Sequence, residues 1–121
     1  MKVKLGQLKI SEKALLNLSQ QPLSITVAFQ ISQLIKQVAP ELQELESQRL
    51  RLIEKYGTKN AEDDTITVLS DNIASFAQEL SPLLETEIDL NFEKIPLSQI
   101  NEDVKISSAD LIALEPFIDT D

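Results

Sequence analysis

Residues 25–56 read ITVAFQISQLIKQVAPELQELESQRLRLIEKY, and whether they make one helix or two decides the fold. Apolar side chains recur at Ala28, Ile31, Ile35, Val38, Leu42, Leu45, Leu52 and Tyr56, in steps of 3 and 4 with a single step of 7. The missing member of the series is Arg49. This is the a/d spacing of a heptad seam. A continuous helix here would be about 48 Å long at 1.5 Å per residue. Pro40 falls inside the pattern, where it removes the backbone bond to the Lys36 carbonyl and crowds that turn. The seam keeps its phase across Pro40, which predicts a kinked helix; a break that restarts with Pro40 as its first residue is the other arrangement. Ser24 is placed to cap the start. Gly57 supplies the stop, with Arg51 and Lys55 in the last turns, where cations suit the helix dipole.

Two packings satisfy such a seam. It can face shorter helices of the same chain, as most amphipathic helices do, and that is the expectation. It can also form a coiled coil, making the chain a homo-oligomer through residues 28–56. Arg49 at a d position weakens that second arrangement unless its charge reaches solvent or a glutamate.

Outward from this helix, Val3 and Leu5 alternate with Lys2 and Lys4, predicting a short strand that Gly6 ends. Ser11 reads as the cap of a helix over residues 12–19, stapled by Ile10 and Leu15. Thr58 to Asp64 reads as a polar loop and Thr65–Val68 as a brief extended link. Ser70 caps a further helix with Asp71 in its first turn, in which Ile73, Phe76, Ala77, Leu80 and Leu84 share a face; Pro82 bends or restarts its end. The stretch EIDLNFEKI alternates most cleanly: Ile88, Leu90 and Phe92 point one way, and Glu87, Asp89, Asn91 and Glu93 the other. Pro96 closes that strand, and Val104 and Ile106 give one more extended piece. Ser107 and Asp110 form a capping box for a last helix that Pro116 ends. The predicted fold is a single α+β domain spanning residues 1–121. It has a long kinked helix, two or three shorter helices, and a small two- or three-stranded sheet built from the N-terminal strand and residues 87–93.

Composition bounds the chemistry. With 121 residues and 42% apolar content the chain can sustain one core. It has no Cys and no His, which removes disulfides, thiol and Ser-His-Asp catalysis and the usual zinc ligands. Its two glycines, Gly6 and Gly57, are too far apart for a phosphate-binding loop. The net charge of −9 is unevenly spread: residues 1–60 carry nine basic and five acidic residues, a balance of +4, and residues 61–121 two basic and fifteen acidic, a balance of −13. An acidic half of that kind repels phosphate and argues against direct nucleic-acid contact; it steers a basic partner or simply forms a solvated face. The N-terminus has no apolar leader core and no run approaches the length of a membrane span, so the reading is a soluble intracellular protein. No cofactor is called for.

The carboxylates Glu85, Glu87, Asp89 and Glu93 would line one strand face, where a hard cation could bind, but the expected role is a solvent face. Glu62-Asp63-Asp64 lacks the ligand spacing of a calcium loop. Asn17-Leu18-Ser19 is a glycosylation sequon that a cytoplasmic chain would not use. The final stretch ISSADLIALEPFIDTD puts Leu111, Ile112, Leu114, Phe117 and Ile118 between carboxylates; it is expected to fold back on the domain, with Asp119 to Asp121 in water.

Three segments in order, VAFQISQLIKQV with RLIEKYG, then FAQELSPLLETEIDLNFEKIPLSQI, then ISSADLIALEPFI, resemble a family of short hypothetical proteins encoded by tailed bacteriophages and prophages. The resemblance spans most of the chain, is weakest at residues 58–72, and carries no catalytic signature. It implies a setting in the bacterial cytoplasm or the phage particle, no enzyme activity, and no functional residues. The expectation is a non-enzymatic protein-interaction module of particle structure or assembly, its partner a phage particle protein or a host protein. The alternative is an acidic inhibitor of a host defence or nucleic-acid-binding protein. The candidate contact surfaces are Glu85, Glu87, Asp89 and Glu93, and the terminal Leu111, Leu114 and Phe117.

Overall fold

The heptad-patterned segment is one helix, Ile25–Tyr56. Ser24 caps it as its position predicts: its backbone is extended and its Oγ accepts from the Val27 N–H at 3.3 Å. The helix passes through Pro40 without a break, so the restarted helix does not form. Pro40 is exposed, as is Lys36, whose carbonyl loses its bond. The structure, a computed structural model, describes residues 1–59 and 65–120. Its elements are β1 (Lys2–Lys4), α1 (Leu5–Ser19), α2 (Ile25–Tyr56), β2 (Gly57–Lys59), β3 (Ile66–Val68), α3 (Ser70–Glu85), β4 (Glu87–Asp89), β5 (Ile95–Pro96), α4 (Ser108–Ala113) and β6 (Ile118–Asp119), with a single 3-10 turn at Leu97–Gln99. The α+β class stands. Glu62-Asp63-Asp64 and Asp121 lie outside the described residues.

The buried side of α2 is Val27, Ile31, Leu34, Val38, Leu42 and Leu45. Five steps cover 18 residues, the 3.6-residue repeat of a straight helix rather than the 3.5 of a supercoil. The predicted seam therefore drifts by one residue in its first half: Val27 and Leu34 take the core places expected of Ala28 and Ile35. Opposite them, α1 buries Leu5, Leu8, Ala14, Leu15 and Leu18.

Helix α1 starts at Leu5, seven residues before the predicted start. Gly6 does not end the strand; it sits in the first turn, where a Cβ would stand 3.2 Å from the Leu84 carbonyl oxygen. Glycine thus lets the end of α3 cross close to α1. Ser11 is no cap but a fully buried helix residue. Its Oγ lies 2.6 Å from the Ala113 carbonyl and 2.9 Å from that of Gln7, and accepts from Gln7 Nε2 at 3.2 Å. The single hydroxyl proton can serve either carbonyl, and the contact to Ala113 is the shorter. Ile10 is 65% exposed, so the predicted staple with Leu15 does not form.

The predicted pairing of the N-terminal strand with the acidic strand is present. β1 and β4 are antiparallel, with Lys2 opposite Asp89, Val3 opposite Ile88 and Lys4 opposite Glu87, so opposite charges face each other across the ladder. The pairing carries on one residue past Asp89, where Leu90 donates to the Met1 carbonyl at 2.7 Å and accepts from the Met1 α-amino group at 3.1 Å; beyond it Gln37 takes over the backbone, gripping Asn91 at both its N–H (2.8 Å) and its carbonyl (3.0 Å). Burial still alternates to Glu93, with Leu90 buried and Phe92 half-buried. The sheet is not extended by further strands. Instead, two other ladders form: antiparallel β2–β3 and parallel β5–β6. Thr58 and Lys59, expected in a loop, belong to the first of these. Gly57 ends α2 in extended conformation (φ −95°); it is needed for space, because a Cβ would collide with Ile66 Cγ2 and the Ile53 carbonyl. Ser70 is the first residue of α3 and Leu69 its cap, one position from the prediction. Pro82 leaves α3 intact to Glu85. Val104 and Ile106 form no strand. Ser107 caps α4, accepting from the Asp110 N–H at 3.1 Å, but the Asp110 carboxylate turns away to accept from Asn17 at 3.0 Å, so the box is one-sided.

The terminal segment closes the core. Leu114, Phe117 and Ile118 are buried, and Phe117 meets Phe92 edge-on at 5.9 Å. Phe117→Ala should therefore lower stability by about 3–5 kcal/mol, whereas Ile112→Ala, at a side chain 65% exposed, should stay within about 0.5 kcal/mol; urea denaturation followed by circular dichroism reads both. Equal effects would mean that the segment is not part of the core.

Candidate functional site

The predicted contact residues separate into three situations. Leu114 and Phe117 are interior, and Leu111 is half-buried against them; in this fold they hold the domain together and present no surface. Glu87, Asp89 and Glu93 are exposed, on the side of the chain away from Ile88, Leu90 and Phe92. Glu85, at the end of α3, accepts from Lys4 Nζ at 2.6 Å, and Asp89 faces the Met1 α-amino group at 3.4 Å. The Glu85 hydrogen bond raises the Lys4 ammonium above its ordinary pKa. Alternate residues of a strand stand nearly 7 Å apart, too far to share an ion unless the chain curls, and no three Asp or Glu side chains converge among the described residues. No described helix is long and apolar enough to cross a membrane.

A surface that the sequence reading did not single out lies between α1 and α2. Lys9, Glu12, Leu15 and Leu16 form one wall of an open groove of about 310 Å³, and Ile35, Val38, Ala39, Leu42, Gln43 and Glu46 the other. A second depression continues it, lined by Ser19, Leu23, Ala28, Ser32, Ile35 and Lys36. Ser19 lies by Ala28 and Lys9 by Glu46, so the two helices run antiparallel. The groove-facing residues of α2 include Ala28, Ser32, Ile35, Ala39, Leu42 and Glu46, spaced 4, 3, 4, 3 and 4, with Lys36, Val38 and Gln43 beside them. Those of α1 include Lys9, Glu12, Leu16 and Ser19, spaced 3, 4 and 3. Both walls thus keep the heptad spacing that receives the side chains of a further helix. The signal was present in the sequence as Ala28, Ile35 and Leu42, but it was assigned to the core, because periodicity alone does not say which flank of a helix is covered.

Further exposed apolar side chains flank the groove. Ile25 is 89% and Phe29 64% exposed, at the start of α2. At the other end, Arg49 grips Glu46 through Nε at 2.9 Å and Nη2 at 2.5 Å, the glutamate partner that a charge at this position requires. Beyond it, Lys55 Nζ donates to Glu79 at 3.0 Å, tying α2 to α3, and Asn72 Nδ2 donates to the Tyr56 carbonyl at 3.0 Å. No side chain of α3 is fully buried; its apolar stripe is only half-covered at Phe76 and Leu80 and is open at Ile73.

Scanning against protein-family models gives no match, and neither curated proteins nor solved structures yield one.

Two of the ion pairs tie stability to the ionised state of a glutamate. The Arg49 guanidinium holds Glu46 below the ordinary carboxylate value of 4.5, and the Tyr56 hydroxyl, then the Lys55 ammonium, do the same for Glu79. A carboxylate with a depressed folded-state pKa contributes stability above its unfolded value and loses it as pH falls through the folded value. These pairs therefore add a small part of the decline in melting temperature below about pH 4.5, and Glu46→Gln with Glu79→Gln together should lower the curve near pH 7 slightly and flatten the acid limb by that same small amount. An unaltered acid limb in the double variant would show that other carboxylates set it.

Proposed function

We propose that the chain is a phage-encoded protein-interaction module with no catalysis of its own, serving particle structure or assembly in the bacterial cytoplasm or in the particle itself. The observation that carries the interaction reading is the α1–α2 groove, with apolar floor and heptad-spaced walls, flanked by Ile25 and Phe29. Single exposed apolar residues are ordinary, but a contiguous apolar depression shaped for a helix marks a contact with another chain. The phage setting is supported by the resemblance in the helical, acidic-strand and terminal segments.

A second reading, an acidic inhibitor of a host defence or nucleic-acid-binding protein, is favoured by the −13 balance of residues 61–121. The two readings use different physics. Apolar contacts persist as salt rises, whereas contacts between exposed charges are screened beyond about 8 Å at physiological ionic strength. The tagged chain should capture phage particle proteins from infected cells through a high-salt wash, and Ala39→Glu, which places a carboxylate in the groove, should abolish the capture. A host nucleic-acid or defence protein held at low salt, released at high salt and indifferent to Ala39→Glu would decide for the inhibitor.

A further inference from the structure

The groove-facing seam of α2 extends in register at both ends, to Ile25 and to Arg49, giving Ile25, Ala28, Ser32, Ile35, Ala39, Leu42, Glu46 and Arg49. Every step is 3 or 4, and its large and small residues are arranged about a centre. Turned end for end about a point between Ile35 and Ala39, the seam places Ile35 opposite Ala39, Ser32 opposite Leu42, Ala28 opposite Glu46 and Ile25 opposite Arg49. Ile35, half-buried in the single copy, meets the small exposed Ala39, and Ser32 lies over the outer edge of Leu42, which is otherwise held in the core, so that two helices can approach closely. At the rims, the Glu46–Arg49 pair, already closed within its own helix, meets Ala28 and the otherwise bare Ile25, and its aliphatic stems can cover them without either charge losing its partner.

We propose that the α1–α2 groove is covered by a second copy of this chain, with the two α2 helices antiparallel and packed by this seam. The proposal rests on the reading of the groove as a contact surface. The size is sufficient for a reversible dimer: 24 residues of α2 span about 36 Å, α1 with its 15 residues accompanies it for about 22 Å, and a face about 20 Å wide there and about 10 Å wide beyond covers about 580 Å² per partner, above the roughly 1,000 Å² in total that a specific interface needs. Leu16, half-exposed on the α1 wall, is covered in the same contact. A two-fold contact of this kind closes on itself, and a phage protein that enters the same groove displaces the second copy. Lys36, exposed on α2, is the charge nearest the axis and faces its own copy there. Salt screens that repulsion, so association should strengthen as salt rises.

Sedimentation equilibrium on the full chain should show a monomer–dimer equilibrium. Ala39→Glu should weaken it by roughly a hundredfold, because in each copy a long side chain replaces the small residue on which Ile35 of the other copy packs. Ala39 is exposed in the folded chain, so the melting curve of the dilute variant should match that of the dilute parent. The chain has no cysteine of its own, which makes oxidative cross-linking a clean test of direction. The double variant Ala28→Cys/Glu46→Cys should form a disulfide-linked dimer. Ala28→Cys alone should not, because in the antiparallel register two copies of residue 28 are offset by 18 residues, about 27 Å. A parent chain that stays monomeric at high concentration, a dimer untouched by Ala39→Glu, or efficient cross-linking of the single variant would each overturn the proposal. A monomeric parent whose capture of phage particle proteins is still abolished by Ala39→Glu would sink the self-pairing alone and leave the functional reading standing. A dimer that captures no phage protein would do the reverse.

Discussion

The contact between α1 and the first two thirds of α2 is the constraint on which the other elements depend. Leu8, Leu15 and Leu18 meet Val27, Ile31, Leu34 and Val38 with almost no exposure, and the remaining pieces are too short to fold apart from that platform. Three ladders of two or three residues each cannot be stable alone, and α4 has six residues, below what an isolated helix needs. Each except the β2–β3 ladder is held by a bond to the platform or by burial upon it. Ser11 reaches the Ala113 carbonyl, Asn17 reaches Asp110, Gln37 grips Asn91, and Gln21 accepts from the Lys105 N–H. Four side chains from α1, α2 and their connection thus fix the irregular second half of the chain.

That arrangement leaves the molecule uneven. Its proximal part is a closed core sealed by Phe117 and Ile118. From Gln48 to Asp89 no described residue is fully buried, so the distal part of α2, the β2–β3 ladder and α3 form an arm whose apolar residues are only half-covered. Polar contacts do proportionally more to align this arm, through the Lys55–Glu79 ion pair and the hydrogen bond from Asn72 to the Tyr56 carbonyl at the end of α2. Stability is accordingly concentrated at one end of the molecule, and local opening of the arm requires less apolar area to be exposed than opening of the core.

Much of the framework was legible along the chain. Ser24 and Ser107 were readable as caps because a hydroxyl before an apolar-periodic run has one obvious set of N–H groups to satisfy. That the N-terminal strand and residues 87–93 share a sheet followed from the alternation of each; the register, which sets lysines opposite carboxylates, did not. Ser11 was misread for the same reason that the others were read correctly: its context looks like a cap, and only the arrival of Ala113, 102 residues later, gives a buried hydroxyl its partner. The strand at Thr58–Lys59 was missed because its signal is two polar residues, and the pairing energy comes from Ile66–Val68 across the hairpin.

The sequence by itself determined the extent of the long helix, the presence of α3 and α4, that the core is largely aliphatic, and that neither thiol nor imidazole chemistry takes place, because these depend on residue type and on spacing along one element. Only the tertiary structure decided which flank of α2 is core and which is groove. A helix with apolar residues on more than one flank has several ways to bury them, and the choice belongs to the neighbours: Leu8, Leu15 and Leu18 claim Val27, Ile31 and Leu34, and leave Ala28, Ser32 and Ala39 facing outward. The same holds for the final segment, whose apolar residues suited either a handle or a lid until Leu90, Ile95 and Phe92 supplied the cavity that Phe117 fills.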